Sequence, residues 1–204
     1  WFLFDPARQE CYGSLMNLNT PLYFGHALPV DASLEQILDA CRELLCDVSF
    51  PTLRLWQERG GRVLGHFQVY LPEEIGHAAG MLTVKLGCTT GITGQPGAHF
   101  GSYLCAVVKQ IFSLVDEGCL KPDLFVVPSI CDAARNLPAI WSRNFNTPCR
   151  TLYLPQNSAS PAAERYLQQE YAGLAAVVSE VTGRPLDLGT LRCSIARSER
   201  GRVG

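Results

Sequence analysis

An apolar run in the second half of the chain, Asp123-Leu124-Phe125-Val126-Val127, gives the strongest indication of the fold. A nearly continuous apolar run of this length is typical of a strand that is buried on both faces of a sheet. The segment 128–132, P-S-I-C-D, then turns into a helix, which Pro138 should bend or divide. A buried strand that leads directly into a helix is the repeating unit of a parallel sheet.

The alternation of strands and helices continues on both sides of this run. The patterns predict strands over 62–70, 81–86 and 150–154, and helices over 102–117, from Pro72 onward and from Ser160 onward. This order predicts an α/β fold: a mainly parallel sheet with flanking helices on both faces, of the Rossmann or flavodoxin-like kind.

The part of the chain before the sheet is less regular. Residues 1–30 show no clean period and are predicted to be mostly loop. Ser33 then begins a helix, with Gln36 at the spacing of a capping box. One face of that helix is apolar and is predicted to be buried; it carries Leu34, Ile37, Leu38, Cys41, Leu44 and Leu45.

Composition narrows the class of protein. The chain has 204 residues, of which 47% are hydrophobic and 18% charged, so it can form a packed core. A net charge of −2 argues against a strongly basic nucleic-acid interface. No apolar run approaches the roughly 18 residues of a membrane helix. Nine cysteines, an odd number without a signal segment, favour reduced thiols and a cytoplasmic location over a disulfide framework.

Two cysteines fall where an α/β sheet presents its ligand site, beyond the carboxyl ends of the strands. Cys105 lies in the first turn of its predicted helix, and Cys131 lies between the buried strand and a helix start. Helix N-termini stabilise thiolates, and thiolates are ligands for soft metals and iron–sulfur clusters. The alternative is that both are packed cysteines, and their separation of 26 residues does not distinguish the two.

A second group of polar residues follows the first strand. Glu73 and His77 share a helical face, with Glu74 beside them, and a carboxylate with an imidazole can transfer protons. The alternative is a pair of acids that stabilises the helix start, next to an ordinary surface histidine. His66, inside the predicted strand, is expected to be structural.

At these residues the chain resembles a known family. The run 72–82, P-E-E-I-G-H-A-A-G-M-L, is similar to the P-E-E-I-I-H-A-A-G-M-L signature of the 2-hydroxyacyl-CoA dehydratase and benzoyl-CoA reductase family. The segments 102–105 (S-Y-L-C), 128–137 (P-S-I-C-D-A-A-R-N-L), 141–144 and 154–157 also resemble that family, and the resemblance extends from about Arg62 to Ile195.

The resemblance implies an enzyme subunit of anaerobic metabolism. In that family two related subunits each carry a [4Fe–4S] cluster, and an ATP-hydrolysing iron–sulfur activator passes them electrons from ferredoxin or flavodoxin. Cys105 and Cys131 are then cluster ligands, and a third ligand lies in a second domain that this chain does not contain. Glu73, Glu74 and His77 become part of the active-site wall around an acyl-CoA, and we expect Ser102, Tyr103 and Ser129 to bind that substrate.

The amino-acid sequences of these motifs resemble those of benzoyl-CoA reductase, which reduces an aromatic acyl-CoA to a dienoyl-CoA, more closely than those of the dehydratases. A 2-hydroxyacyl-CoA dehydratase subunit and a non-catalytic scaffold subunit are the alternatives, and an enzyme with one reactive thiol is a more distant one. The expected organisation is an N-terminal loop and helical segment (1–60), an α/β cluster-binding domain (61–185), and the start of a truncated second domain (186–204).

Overall fold

A computed structural model of the chain describes residues 31–46, 50–67, 69–87 and 100–203. The predicted loop at 1–30 therefore lies wholly outside the described residues, as do residues 88–99. The helices and strands follow in the order α1 (Leu34–Cys46), α2 (Pro51–Glu58), β1 (Arg62–His66), α3 (Glu73–Ala78), β2 (Met81–Lys85), α4 (Ala106–Asp116), β3 (Leu124–Pro128), α5 (Asp132–Asn144), β4 (Cys149–Leu152), α6 (Ala163–Thr182) and α7 (Leu188–Val203). Among these helices, none has both the length and the apolar character needed to cross a bilayer.

The four strands form one sheet in the order β2-β1-β3-β4, and every pair is parallel. The register places Gly65 of β1 beside Val84 of β2 and Phe125 of β3, and Val127 of β3 beside Thr151 of β4. The predicted α/β fold with a parallel sheet is therefore confirmed.

The sheet has a core on each face, because successive residues of a strand point to opposite sides. One core joins the strands to α2, α4 and α5; its buried residues include Val63, Phe125, Val127, Trp56, Ile111 and Trp141. The other joins them to α3 and α6, with α7 at its margin; it includes Leu64, Val126, Leu152, Ile75, Leu174 and Val178. Helices thus cover both faces, as the sequence order predicted.

Local signals place several helix ends correctly. Ser33 and Gln36 form the predicted capping box, since the Ser33 amide donates to Gln36 Oε1 at 2.8 Å and the Gln36 amide donates to Ser33 Oγ at 3.3 Å. Gly118 and Gly183 adopt left-handed φ values of 73° and 68° just after α4 and α6, a conformation that glycine adopts without strain.

The predicted burial of the α1 face is wrong. Leu34 and Leu38 are 68% and 46% exposed, and Cys41 is exposed as well. In the part of the chain that the structure describes, neither core includes a residue of α1. Periodicity identifies the apolar face of a helix, but it does not say which element covers that face.

The two largest differences from the predicted element boundaries are at β1 and α4. β1 ends at His66 and not at Tyr70, because pairing with β3 stops at His66–Val126 and Tyr70 turns to a left-handed φ of 62°. α4 begins at Ala106 and not at residue 102, because a turn bonds the Leu104 amide to the Gly101 carbonyl at 3.1 Å.

α5 is not divided at Pro138 and runs unbroken to Asn144. Leu137 and Trp141, which flank the proline, are fully buried. Their packing stabilises the helix where the proline removes one backbone hydrogen bond.

Candidate functional site

The two inner strands meet at a topological switch point. β1 connects through α3 to the neighbour on one side, whereas β3 connects through α5 to the neighbour on the other, and these two helices lie on opposite faces. Open α/β sheets bind ligands beyond the carboxyl ends of the strands at such a switch point, so the candidate site lies beyond the carboxyl ends of β1 and β3. We call this place the crevice. His66 ends β1 at this crevice, and Ser129 follows β3.

Cys131 is the N-cap residue of α5. Its Sγ accepts a hydrogen bond from the Ala134 amide at 3.4 Å, and the residue is exposed. The unpaired amides and the dipole of a helix N-terminus stabilise a thiolate at such a position. The expected place of Cys131, between a buried strand and a helix start, is confirmed.

Cys105 is the N-cap residue of α4, one position before the first turn in which it was expected. Its side chain makes no capping hydrogen bond, and the residue is exposed. Both cysteines thus begin helices that follow sheet strands, and both thiols are accessible.

These two thiols suit an iron–sulfur cluster by their chemistry, since accessible thiolates at helix N-termini are soft ligands. Within the described ranges, no group of three or more histidine, cysteine or acidic side chains is arranged to hold a metal ion. The described residues therefore offer Cys105 and Cys131 as ligands and no third residue grouped with them.

The other described cysteines differ from this pair. Cys149, on β4, is half-buried, and burial raises the pKa of its thiol to about 12. Cys119 packs against the first core, whereas Cys193 is exposed on α7. Cys88 lies outside the described residues.

Ser129 is buried at the carboxyl end of β3. Its amide donates to the Leu152 carbonyl at 2.8 Å, and its Oγ accepts from Nε of Arg135 at 3.1 Å. A terminal nitrogen of Arg135 also lies 3.5 Å from the Asp132 carboxylate. The sequence reading missed Arg135, which lies one helical turn after Cys131 and brings a positive charge to the same rim.

The other two expected substrate-binding residues lie in the turn before α4. Ser102 is exposed, and its carbonyl accepts from Nζ of Lys109 at 3.0 Å. Tyr103 is 91% exposed, so its ring is available to a ligand.

Glu73 is the acid that contacts the end of β1. Its Oε1 lies 3.3 Å from Nε2 of His66, whose side chain is only 3% exposed. The pKa of Glu73 is lowered, first by its side-chain hydrogen-bonding contact with His66 and then by the charges of His66, His77 and Lys85, while burial opposes the change. His66 was expected to be structural. Its place at the carboxyl end of the first strand is the signal that could have identified it as a residue of the candidate site.

His77 is half-buried, so it is not the ordinary surface histidine of the alternative interpretation. Its Nε2 lies 2.6 Å from Oγ1 of Thr83 on β2. Burial is the largest cause that lowers the pKa of His77; Glu73 and Glu74 oppose it, and Arg197 adds a smaller lowering.

Glu74 acts on a different neighbour from Glu73. It is half-buried, and its charge adds to burial in raising the pKa of Tyr171 on α6. The two adjacent acids of α3 therefore face different surroundings, and Glu73 is the one that contacts the residue at the end of β1.

Comparison with known proteins gives consistent matches. Residues 68–203 match the family described as 2-hydroxyglutaryl-CoA dehydratase, D-component. The chain is 33% identical over 174 residues to a subunit of benzoyl-CoA reductase from Thauera aromatica, a match that covers 80% of this chain and 44% of the relative.

Two further relatives are dehydratase subunits. The beta subunit of lactoyl-CoA dehydratase from Anaerotignum propionicum is 31% identical over 143 residues, which cover 68% of this chain and 37% of the relative. The beta subunit of (R)-2-hydroxyglutaryl-CoA dehydratase from Acidaminococcus fermentans is 24% identical over 142 residues, which cover 66% and 36%. The matched region is less than half the length of each of the three relatives.

Proposed function

This chain belongs to the 2-hydroxyglutaryl-CoA dehydratase, D-component family, and we propose that it contributes an iron–sulfur-binding α/β unit to a benzoyl-CoA reductase. The observation that carries the proposal is the matched placement of Cys105 and Cys131. Each is exposed, and each occupies the N-cap position of a helix that follows a strand of the parallel sheet. The relative from benzoyl-CoA reductase supports the choice of reaction.

We assign Cys105 and Cys131 as two ligands of a [4Fe–4S] cluster and expect a third from a second α/β domain. When bound, such a cluster supplies single low-potential electrons to the acyl-CoA. At the start of α5, the Ala134 amide donates a hydrogen bond to Sγ of Cys131. Backbone amides at a helix N-terminus suit a thiolate ligand.

The other residues of the crevice serve the substrate in this proposal. Ser129 Oγ accepts from Arg135, and a hydroxyl that accepts one hydrogen bond retains its own hydrogen to donate to a thioester oxygen. Glu73 and the half-buried His77 provide groups that hold or accept protons, Glu74 borders the same wall, and the exposed Ser102 and Tyr103 contact the bound acyl-CoA.

The partners in this proposal follow from the reaction. The enzyme is completed by a second, homologous subunit that also binds a cluster, an ATP-hydrolysing iron–sulfur activator delivers the electrons, and ferredoxin or flavodoxin reduces the activator. A cytoplasmic location fits low-potential chemistry that depends on free thiols.

An activity measurement on the assembled enzyme tests the proposal. With activator, ATP and a low-potential reductant, we expect conversion of benzoyl-CoA to a dienoyl-CoA. The Cys105→Ser and Cys131→Ser variants should each lose this activity, whereas Cys193→Ser, which changes an exposed cysteine on α7, should retain it. Full activity in both Cys105→Ser and Cys131→Ser would leave this chain as a scaffold.

The second candidate function is dehydration of a 2-hydroxyacyl-CoA, because two of the three relatives above are dehydratase subunits. The same preparation, offered lactoyl-CoA or 2-hydroxyglutaryl-CoA, distinguishes the two reactions. Turnover of a hydroxyacyl-CoA without turnover of benzoyl-CoA would replace the reductase assignment and keep the two cysteine ligands.

A further inference from the structure

His66 is a buried titratable residue at the point where β1 meets the crevice. Its backbone belongs to the sheet, since its carbonyl accepts from the Leu86 amide at 2.9 Å. Its Nδ1 lies 2.9 Å from the Phe67 carbonyl oxygen. A carbonyl oxygen can only accept, so Nδ1 must carry a hydrogen and donate it, and this fixes the tautomer of the neutral ring.

The fixed tautomer determines what Nε2 can do. In the neutral ring Nε2 carries a lone pair and no hydrogen, and it lies 3.3 Å from Glu73 Oε1. An ionised carboxylate is also only an acceptor, so the two atoms repel unless one proton lies between them. The contact is attractive in two arrangements: imidazolium with carboxylate, or neutral imidazole with carboxylic acid.

The surrounding charges act on the Glu73 carboxylate. Besides His66, the groups that act on Glu73 are His77 from its own helix and Lys85 from the end of β2. Glu74 and Arg197 reach His77 but are not among the groups that shift Glu73. The pKa of Glu73 is lowered by this set, chiefly by the contact with His66, so the ionised carboxylate is its favoured form.

We propose that His66 is a positioning residue that holds the Glu73 carboxylate at the crevice and shares one proton with it. Because 45% of the Glu73 side chain is exposed whereas His66 is sealed from solvent, the proton can leave only through Glu73. The recipient rests on the proposed function: it is a basic atom of the bound acyl-CoA. In that step the Nε2–H bond breaks, the proton passes by way of the carboxylate to the substrate, and the ring keeps the electron pair as neutral imidazole.

The separation of 3.3 Å leaves room for this exchange. Charge-assisted N–H···O bonds are commonly about 2.7–2.9 Å long, so the pair is in contact but not locked. Catalytic hydrogen bonds are often long before substrate binds and tighten in the complex. The contact from Nδ1 to the Phe67 carbonyl holds the ring, and among the described residues the buried Nε2 has no hydrogen-bond partner. Its hydrogen bond to Glu73 therefore forms only when the pair closes.

A titration that needs neither iron nor substrate tests the pair. The full chain is labelled with ¹³C at glutamate side-chain carboxyls, and the Glu73 resonance is identified by its loss in Glu73→Gln. In His66→Phe, which keeps a buried ring but has no nitrogen, the Glu73 midpoint should rise, because the largest cause that lowers it is removed. His77→Gln is the matched control and should raise the midpoint by less, because His66 is the larger cause.

An unchanged Glu73 midpoint in folded His66→Phe, or an equal rise in His77→Gln, would overturn the proposal. If His66→Phe does not fold, the ¹⁵N chemical shifts of the His66 ring in the parent protein test the proposal instead, because they show which ring nitrogen carries a hydrogen. The account requires hydrogen on Nδ1 throughout the titration, and a neutral ring protonated on Nε2 alone contradicts it. A negative result in this titration does not affect the cysteine-dependent activity of the proposed function. The His66–Glu73 proposal and the proposed function can therefore fail independently.

Discussion

The ring of Trp141 stacks on the ring of Phe125, with centroids 4.1 Å apart and planes 25° from parallel. This contact fastens α5 to β3, the strand that ends at the crevice. Trp141 Nε1 also donates to the Thr147 carbonyl at 3.2 Å, which ties the end of α5 to the loop before β4. The position of Cys131 at the other end of α5 therefore depends on packing ten residues away.

Removal of this stack should destabilise the fold. Trp141 is fully buried, and truncation of a buried tryptophan to alanine commonly costs about 3–5 kcal/mol. Trp141→Ala is expected to lower the free energy of unfolding in urea by that amount. Trp141→Phe keeps a ring against Phe125 and should cost clearly less; equal losses in the two variants would contradict the role of the stack.

Cys131 should tolerate serine better than alanine in the absence of a metal. Its Sγ caps α5 by accepting from the Ala134 amide, and serine is a stronger N-cap residue than cysteine. We expect Cys131→Ser to be at least as stable as the parent, and Cys131→Ala to lose up to about 1 kcal/mol. Urea unfolding measures both, and a Cys131→Ser protein weaker than Cys131→Ala would contradict the capping geometry.

Alkylation should separate the exposed thiols from the half-buried one. Cys41, Cys105, Cys131 and Cys193 are exposed, whereas burial raises the pKa of Cys149 to about 12. Iodoacetamide near neutral pH is expected to label these four exposed cysteines in the folded chain and to label Cys149 only after unfolding. Peptide mass mapping gives the result, and early labelling of Cys149 would show that β4 is not packed as described.

His77 should make stability fall as pH falls through the ordinary titration range of histidine. Burial lowers the pKa of His77 from 6.5, so the unfolded chain binds more protons than the folded chain, and the free energy of unfolding falls as pH falls through that range. Glu73 contributes separately, because its pKa is lowered from 4.5 and its stabilisation is lost only at still lower pH. The variant His77→Gln, which can still bond Thr83, is expected to gain stability relative to the parent between about pH 7.5 and about pH 5.5. A difference that stays constant across that interval would show that His77 is not held in its neutral form.

The features that sequence predicted well are local ones. The capping box of Ser33 and Gln36 depends on residues within one helical turn. The parallel sheet was predictable because its strands alternate with helices in chain order. The same reasoning placed Cys131 at a helix start.

The features that sequence missed depend on contacts between distant segments. Leu38 and Cys41 were expected in the core because their helix is amphipathic, yet no described element buries them. β1 stops at His66, opposite Lys85, where its neighbour β2 also ends, and no local pattern records this. The contact of His66 with Glu73 spans the end of a strand and the start of a helix, so helical spacing pointed to His77 instead. The expected domain boundaries at 60 and 185 stay predictions; α7, beyond the second boundary, packs against α3.

The central claim is that Cys105 and Cys131 are cluster ligands. The most direct test measures iron and acid-labile sulfide per chain after anaerobic reconstitution of the full-length subunit. We predict about four iron atoms per chain in the parent and in Cys193→Ser, and background iron in Cys105→Ser and Cys131→Ser. Circular dichroism of each variant confirms that it is folded. Iron that stays at the parent level in folded Cys105→Ser and Cys131→Ser, or a folded parent that binds none, would contradict the assignment of these two cysteines as cluster ligands.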